Sequence, residues 1–176
     1  VVALYREGDE ACISVFFYRS GKAEGNSTHF LSDVADVPSP EIMTTFLMQF
    51  YDQVPAPRFL CLSETVPTGF ADALAQKTGH TVQISSAFKG MRRKLMEQAV
   101  LNARESLSQH RQNEQITDRV WAEFRDLLEL KHLNKVEVYD NSHIQGASAV
   151  GAMIVATKEG FQKNLYRRFN IQAELT

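Results

Sequence analysis

The hydrophobic period of this sequence changes along the chain, and that change limits the folds open to it. Between Val1 and Leu31 the apolar residues fall into three short runs: Val1 to Arg6, Ala11 to Tyr18, and a weaker Glu24 to Leu31. Glu7-Gly8-Asp9-Glu10 and Ser20-Gly21-Lys22 separate them. Strand-type runs joined by short glycine-bearing turns predict an antiparallel meander. Past Ser39-Pro40-Glu41 the period lengthens. Ile42, Phe46, Phe50 and Val54 recur every four residues, with Met43, Leu47 and Tyr51 beside them. That is the wide apolar face of a helix, with Ser39 as N-cap, Pro40 in the first helical position, and Pro55 and Pro57 ending it.

The two periods then alternate. Arg58 to Ser63 reads as a short buried strand, Thr68 to Lys77 as a helix that Gly79 terminates, and Thr81 to Ser85 as a fifth strand. Met91 to Gln109 reads as a long helix with Met91, Leu95, Ala99, Ala103 and Leu107 on one face. The order β-β-β-α-β-α-β-α is that of the ribonuclease H-like α/β fold, which by itself says nothing about activity. His110 to Ile116 is polar and reads as a linker or a helix extension, and Thr117 to Leu130 as a further helix. Strands are then expected at Lys135 to Asp140, Ser148 to Thr157 and Lys163 to Ile171, repeating the opening meander. Three strands without a covering layer do not make a domain. The expectation is a ribonuclease H-like domain over 1–109, a linker and helix over 110–134, and the first three strands of a second such domain over 135–176. On this reading the chain begins and ends inside a longer protein, and its open third strand invites edge-to-edge self-association.

Hydrophobic residues at 44% and charged residues at 23% are ordinary for a core-forming protein. The net charge of −2 carries no general polyanion-binding signature, so contact with DNA would need a local patch or metal ions. Cys12 and Cys61 lie in strand-type runs, without a C-x-x-C pair or a disulfide framework, and read as small buried hydrophobes in a reducing cytoplasm. No apolar run reaches the ~18 residues that span a membrane.

Asp140 ends the strand Lys135-Val136-Glu137-Val138-Tyr139-Asp140. An acid in that place, taken alone, reads more often as a cap or turn residue than as a metal ligand. Its surroundings change the reading. Val136-Glu137-Val138-Tyr139-Asp140-Asn141-Ser142-His143-Ile144-Gln145-Gly146 closely resembles the signature of the UvrC nuclease family. Ala149-Val150-Gly151-Ala152-Met153-Ile154-Val155 and Tyr166-Arg167-Arg168-Phe169-Asn170-Ile171 resemble its next two strands in order and spacing. Val2-Ala3-Leu4, Glu10-Ala11-Cys12, Val15-Phe16-Phe17 and Phe46-Leu47-Met48-Gln49-Phe50-Tyr51 resemble the region before that nuclease domain. The resemblance covers essentially the whole chain and is densest from Lys135 to Ile171.

The resemblance implies a subunit of bacterial nucleotide excision repair, recruited by UvrB on damaged double-stranded DNA. Its ribonuclease H-like domain would make the 5′ incision with Mg²⁺ or Mn²⁺, hard cations that take carboxylate oxygen and activate water. Asp140 would be the first-strand metal ligand, with the remaining ligands beyond Thr176, and UvrB would be met through a motif absent here. A lone carboxylate is a poor Mg²⁺ site, so the chain as given is expected to be inactive. Asn141 and Ser142 are candidates for orienting the aspartate or meeting a phosphate. His143 is a candidate ligand, though such a histidine more often shapes a loop, and Gly146 is a turn or close-approach position. Lys163, Arg167 and Arg168 form a basic cluster for the DNA backbone, with the two arginines on opposite faces of a regular strand. Arg92, Arg93 and Lys94 read as a solvated helix face. The first domain offers no comparable acid: Val1 to Tyr5 holds none, Asp9 and Glu10 read as turn residues, and Glu64 lacks an evident partner. The competing reading is a non-catalytic binding or scaffold module that contacts UvrB or DNA.

Overall fold

The computed structural model describes residues 1–144 and 147–171, and of residues 143, 144 and 147–149 the backbone alone. Two compact units divide the chain, the first Val1–Arg111 and the second from Gln112 onward.

In the first unit β1 (Val2–Glu7), β2 (Glu10–Arg19) and β3 (Lys22–Leu31) form the antiparallel meander, in register at Leu4–Ile13 and Ile13–His29. The turns between them need left-handed backbone, and Gly8 (φ 65°) and Gly21 (φ 77°) supply it without a Cβ clash. β4 (Phe59–Cys61) and β5 (Gln83–Ser85) pair in parallel. A parallel bridge between Val2 and Leu62, with the Ser63 amide donating to the Val2 carbonyl at 3.0 Å, seats β4 beside β1. The strand order is therefore β3-β2-β1-β4-β5.

Both faces of this sheet are covered, which is why Ala11 to Val15 on β2 are all essentially buried. On one face Val2, Leu4, Ile13 and Val15 pack with Ile42, Met43 and Leu47 of α1 (Ser39–Gln53) and with Phe70 and Leu74 of α2 (Phe70–Thr78). On the other, Ala3 and Cys12 meet Met96, Ala99, Ala103 and Leu107 of α3 (Met91–Leu127). Burying each such Leu, Ile or Met contributes about 1.5–3 kcal/mol. Ser14 is the one polar residue among the buried side chains described, and its hydroxyl donates to Asn102 Oδ1 at 2.8 Å. Cys12 and Cys61 are buried and not disulfide-bonded.

Local details differ from expectation. α1 is capped at Pro38 rather than Ser39, and α2 at Gly69, whose positive φ of 89° Thr68 could not adopt cheaply. Met96, not the exposed Met91, completes the buried stripe of α3. His110 to Ile116 continues α3 without a break, so the two expected helices are one of 37 residues.

In the second unit β6 (Val136–Ile144) pairs antiparallel with β7 (Ala147–Thr157). The other edge of β7 carries the two-residue β8 (Gly160–Phe161) and β9 (Arg167–Asn170). The expected third strand is thus shorter, because Lys163–Leu165 forms a 3₁₀ turn. Val155 of β7 is buried, while Val138, Tyr139, Ile154 and Phe169 are exposed. Among the described residues no helix is long and apolar enough to cross a membrane.

Candidate functional site

Side chains alternate along a strand, and directly paired residues share a face. Asp140 pairs with Ala152, and Ala152 with Arg168, so a carboxylate and a guanidinium share one cross-strand row. Their strands are two spacings apart, roughly 10 Å. The row of Val138 and Ile154 lies to one side, and that of Ser142, Val150 and Asn170 to the other. Asp140 is exposed there, and among the described residues nothing hydrogen-bonds or ion-pairs its carboxylate.

The opposite face holds a different set. Lys135 Nζ lies 2.6 Å from Glu137 Oε1, and Tyr139 Oη donates to Glu137 Oε2 at 2.8 Å. These two donors hold the Glu137 carboxyl below its usual range, and the bond to Glu137 raises the Tyr139 phenol. Asn141 is on this face as well, away from Asp140, which departs from the expectation that it orients the aspartate. Its Oδ1 lies 2.8 Å from where a Cβ on Gly151 would stand, so the amide rests on a glycine. Ser142 keeps the face of Asp140. The His143 side chain and Gly146 lie outside the described residues.

The basic residues do not make one patch. Arg168 faces with Asp140, whereas Arg167 is on the other side and donates from Nη1 to the carbonyls of Tyr166 (2.8 Å) and Asn164 (3.1 Å). Lys163 sits in the 3₁₀ turn rather than on β9. In the first unit Arg92 lies over the Phe59 ring at 4.5 Å, and Arg93 pairs with Glu97 at 2.8 Å. Among the described residues no three His, Cys, Asp or Glu side chains come together to hold a metal. One carboxylate does not satisfy Mg²⁺ or Mn²⁺, which take several oxygens.

Two arginines escaped the sequence reading. The opening strands share a pattern, Val2-Ala3-Leu4-Tyr5-Arg6 and Val136-Glu137-Val138-Tyr139-Asp140, with Arg6 in the place of the aspartate. Arg6 donates to the carbonyls of Val34 (2.5 Å), Val37 (2.7 Å) and Ala35 (3.1 Å) and to Ser39 Oγ (3.3 Å). Burial pushes the nearby Glu64 carboxyl up, and the Arg6 charge offsets part of that. A fixed cation therefore stands in the first unit where the second carries an acid. The signal was the repeated five-residue pattern. Arg111, read as part of a linker, pairs with Glu7 at 3.2 Å and with Glu10, which opens β2 rather than lying in the turn.

A family model described as the UvrC Ribonuclease H-like domain matches residues 1–110, and one described as the UvrC RNAse H endonuclease domain matches residues 125–176. The chain belongs to the UvrC family. It is 41% identical over 175 residues to the UvrABC system protein C of Sphingopyxis alaskensis, covering 98% of this chain and 27% of that protein. The UvrABC system protein C of Bradyrhizobium diazoefficiens is 40% identical over 177 residues (99% and 26%), and that of Hyphomonas neptunium 42% over 177 (98% and 28%). The chain thus spans about a quarter of the length of these curated UvrC relatives. No solved structure gives a significant match. Asp140 and its neighbours fall inside the endonuclease-domain match, and Arg6 inside the other.

Proposed function

We propose that this chain is the part of a UvrC subunit where a non-catalytic ribonuclease H-like module meets the start of the endonuclease domain that makes the 5′ incision in nucleotide excision repair. The domain limits proposed are 1–109, a linker and helix over 110–134, and 135–176. The observation that carries the reading is the Asp140 carboxylate, exposed and unpaired among the described residues, on the opening strand of the segment that matches a UvrC endonuclease domain. Asp140 would supply one oxygen ligand to Mg²⁺ or Mn²⁺, with the other ligands outside the described residues. The bound ion would activate water and balance charge on the scissile phosphate. Arg168, which shares the sheet face of Asp140, would meet the phosphate backbone, and Ser142 would hydrogen-bond near it. Substrate and partner follow the family: damaged double-stranded DNA and UvrB, in the bacterial cytoplasm. The scaffold reading is kept for the first unit alone, where Arg6 fills the acid's position.

The test uses the full-length protein on lesion-bearing duplex DNA with UvrB and Mg²⁺ or Mn²⁺. Asp140→Asn and Asp140→Ala are expected to lose the 5′ cut by roughly 10³-fold, ~4 kcal/mol of barrier, while the 3′ cut and DNA affinity persist. A 5′ cut at the unsubstituted rate in either variant refutes the metal role.

A further inference from the structure

The second unit holds a cleft of about 220 Å³ that the incision chemistry does not use. Asp118, Trp121 and Arg125 reach it from one face of α3, at helical spacing. Lys131 and His132 line it from the segment after the helix, and Lys158 from the β7–β8 turn. Three cations face one carboxylate here, in a chain whose net charge is −2. Lys158 pairs with Asp118 and Arg125 with Asp126, each at 2.7 Å, but these pairs are well exposed, and exposed pairs exchange partners readily. Among the described residues Lys131 has no ion pair at all. The volume is below the 300–1,000 Å³ of sites for drug-sized ligands, which leaves room for one ring system and its phosphate.

We propose that this cleft holds an unpaired nucleotide of a DNA strand, with Trp121 stacking on the base and Lys131, Arg125 and Lys158 taking the phosphate. An aromatic face beside a cluster of cations is the arrangement that binds single strands without sequence preference, because every base has a π-face and every nucleotide a phosphate. A paired base offers no free face to Trp121, so the site selects single-stranded over duplex DNA. The proposal rests on the reading of the chain as part of a DNA-acting protein, but not on Asp140.

Trp121 is the one tryptophan of the chain, so its emission reports on this cleft alone. The experiment titrates the full chain with fluorescein-labelled (dT)12, following Trp121 emission and label anisotropy together. The expected result is saturable quenching that tracks the anisotropy, with salt dependence. Lys131→Ala with Lys158→Ala is expected to weaken binding at least fivefold and to lower the salt slope by about one per cation removed. Trp121→Phe should keep most of the affinity and Trp121→Ala should lose it, with circular dichroism confirming that each variant is folded. Binding by anisotropy with Trp121 emission and the variants' affinity unchanged overturns the cleft and leaves the DNA-acting reading intact. Equal quenching by inorganic phosphate reduces the cleft to an anion site and overturns base stacking. No binding in either signal overturns the proposal, and the incision assay on Asp140 then decides separately whether the functional reading stands.

Discussion

At Gly151 the absence of a side chain decides where a neighbour can lie. Asn141 Oδ1 fills the space a Cβ would need, with Ile171 Cδ1 at 3.5 Å and Phe169 Cβ at 3.7 Å behind it. Gly151→Val is expected to destabilise the second unit by about 1–3 kcal/mol through overpacking. Asn141→Ala in the same chain should recover part of that loss. Urea unfolding read by Trp121 emission checks the double-mutant cycle, and strict additivity would deny the contact. A second residue-scale prediction concerns pH. His29 lies 5.0 Å from Phe46 and 5.6 Å from Phe50, between ring centroids, and its Nε2 is 3.0 Å from Ser27 Oγ. Burial lowers its pKa from the ordinary 6.5. The folded state then binds this proton less tightly than the unfolded chain, so the contribution is whole above pH 6.5 and shrinks as pH falls through it. His29→Phe should flatten the fall in unfolding midpoint between pH 7 and 5.5, and an unchanged slope counts against it. The Asn141-Ser142 motif was legible in the sequence, yet not which of its members shares a face with Asp140. That depends on strand register, set by partners far along the chain.

Among the elements, α3 shows where composition misleads. His110 to Ile116 looked like a linker because it is polar. Arginine, glutamine and glutamate are nonetheless good helix formers, and no glycine or proline interrupts them, so the helix continues. Its buried stripe is equally specific. Ala99 and Ala103 are fully buried, and their small size lets the helix lie close over Ala3 and Cys12. Ala103→Leu has good helix propensity but no space. Denaturant unfolding is expected to show a loss of about 1–3 kcal/mol; a neutral or stabilising result would mean that the contact is loose. The shortened third strand has a comparable origin. Lys163–Leu165 is strand-like in order of residue types, but its Tyr166 amide closes on the Lys163 carbonyl at 3.3 Å and makes a turn.

For the molecule as a whole, the two units have different kinds of core. The first buries Leu47, Met43 and Ile13 completely between sheet and helices. The second, among its described residues, buries Val155 and leaves most of its large apolar side chains open. Leu47→Ala should therefore cost the first unit about 2–5 kcal/mol. If the units unfold separately, the far-ultraviolet transition shifts while the Trp121 transition stays where it was. A common shift of both signals would show one cooperative structure instead.

The sequence alone determined the order of strands and helices in the first unit, because period and turn chemistry are local properties, and it singled out Asp140 through a motif written in consecutive residues. Tertiary structure decided what is set by distant partners. The Val2–Leu62 bridge placed β4 beside β1, and pairing through Ala152 put Asp140 and Arg168 on one face and Asn141 on the other. Three carbonyls from residues 34 to 37 gave Arg6 its fixed position. Side-chain alternation can be read along one strand, but the face that stays open, and the groups that meet there, are fixed only when strands remote in sequence come into register.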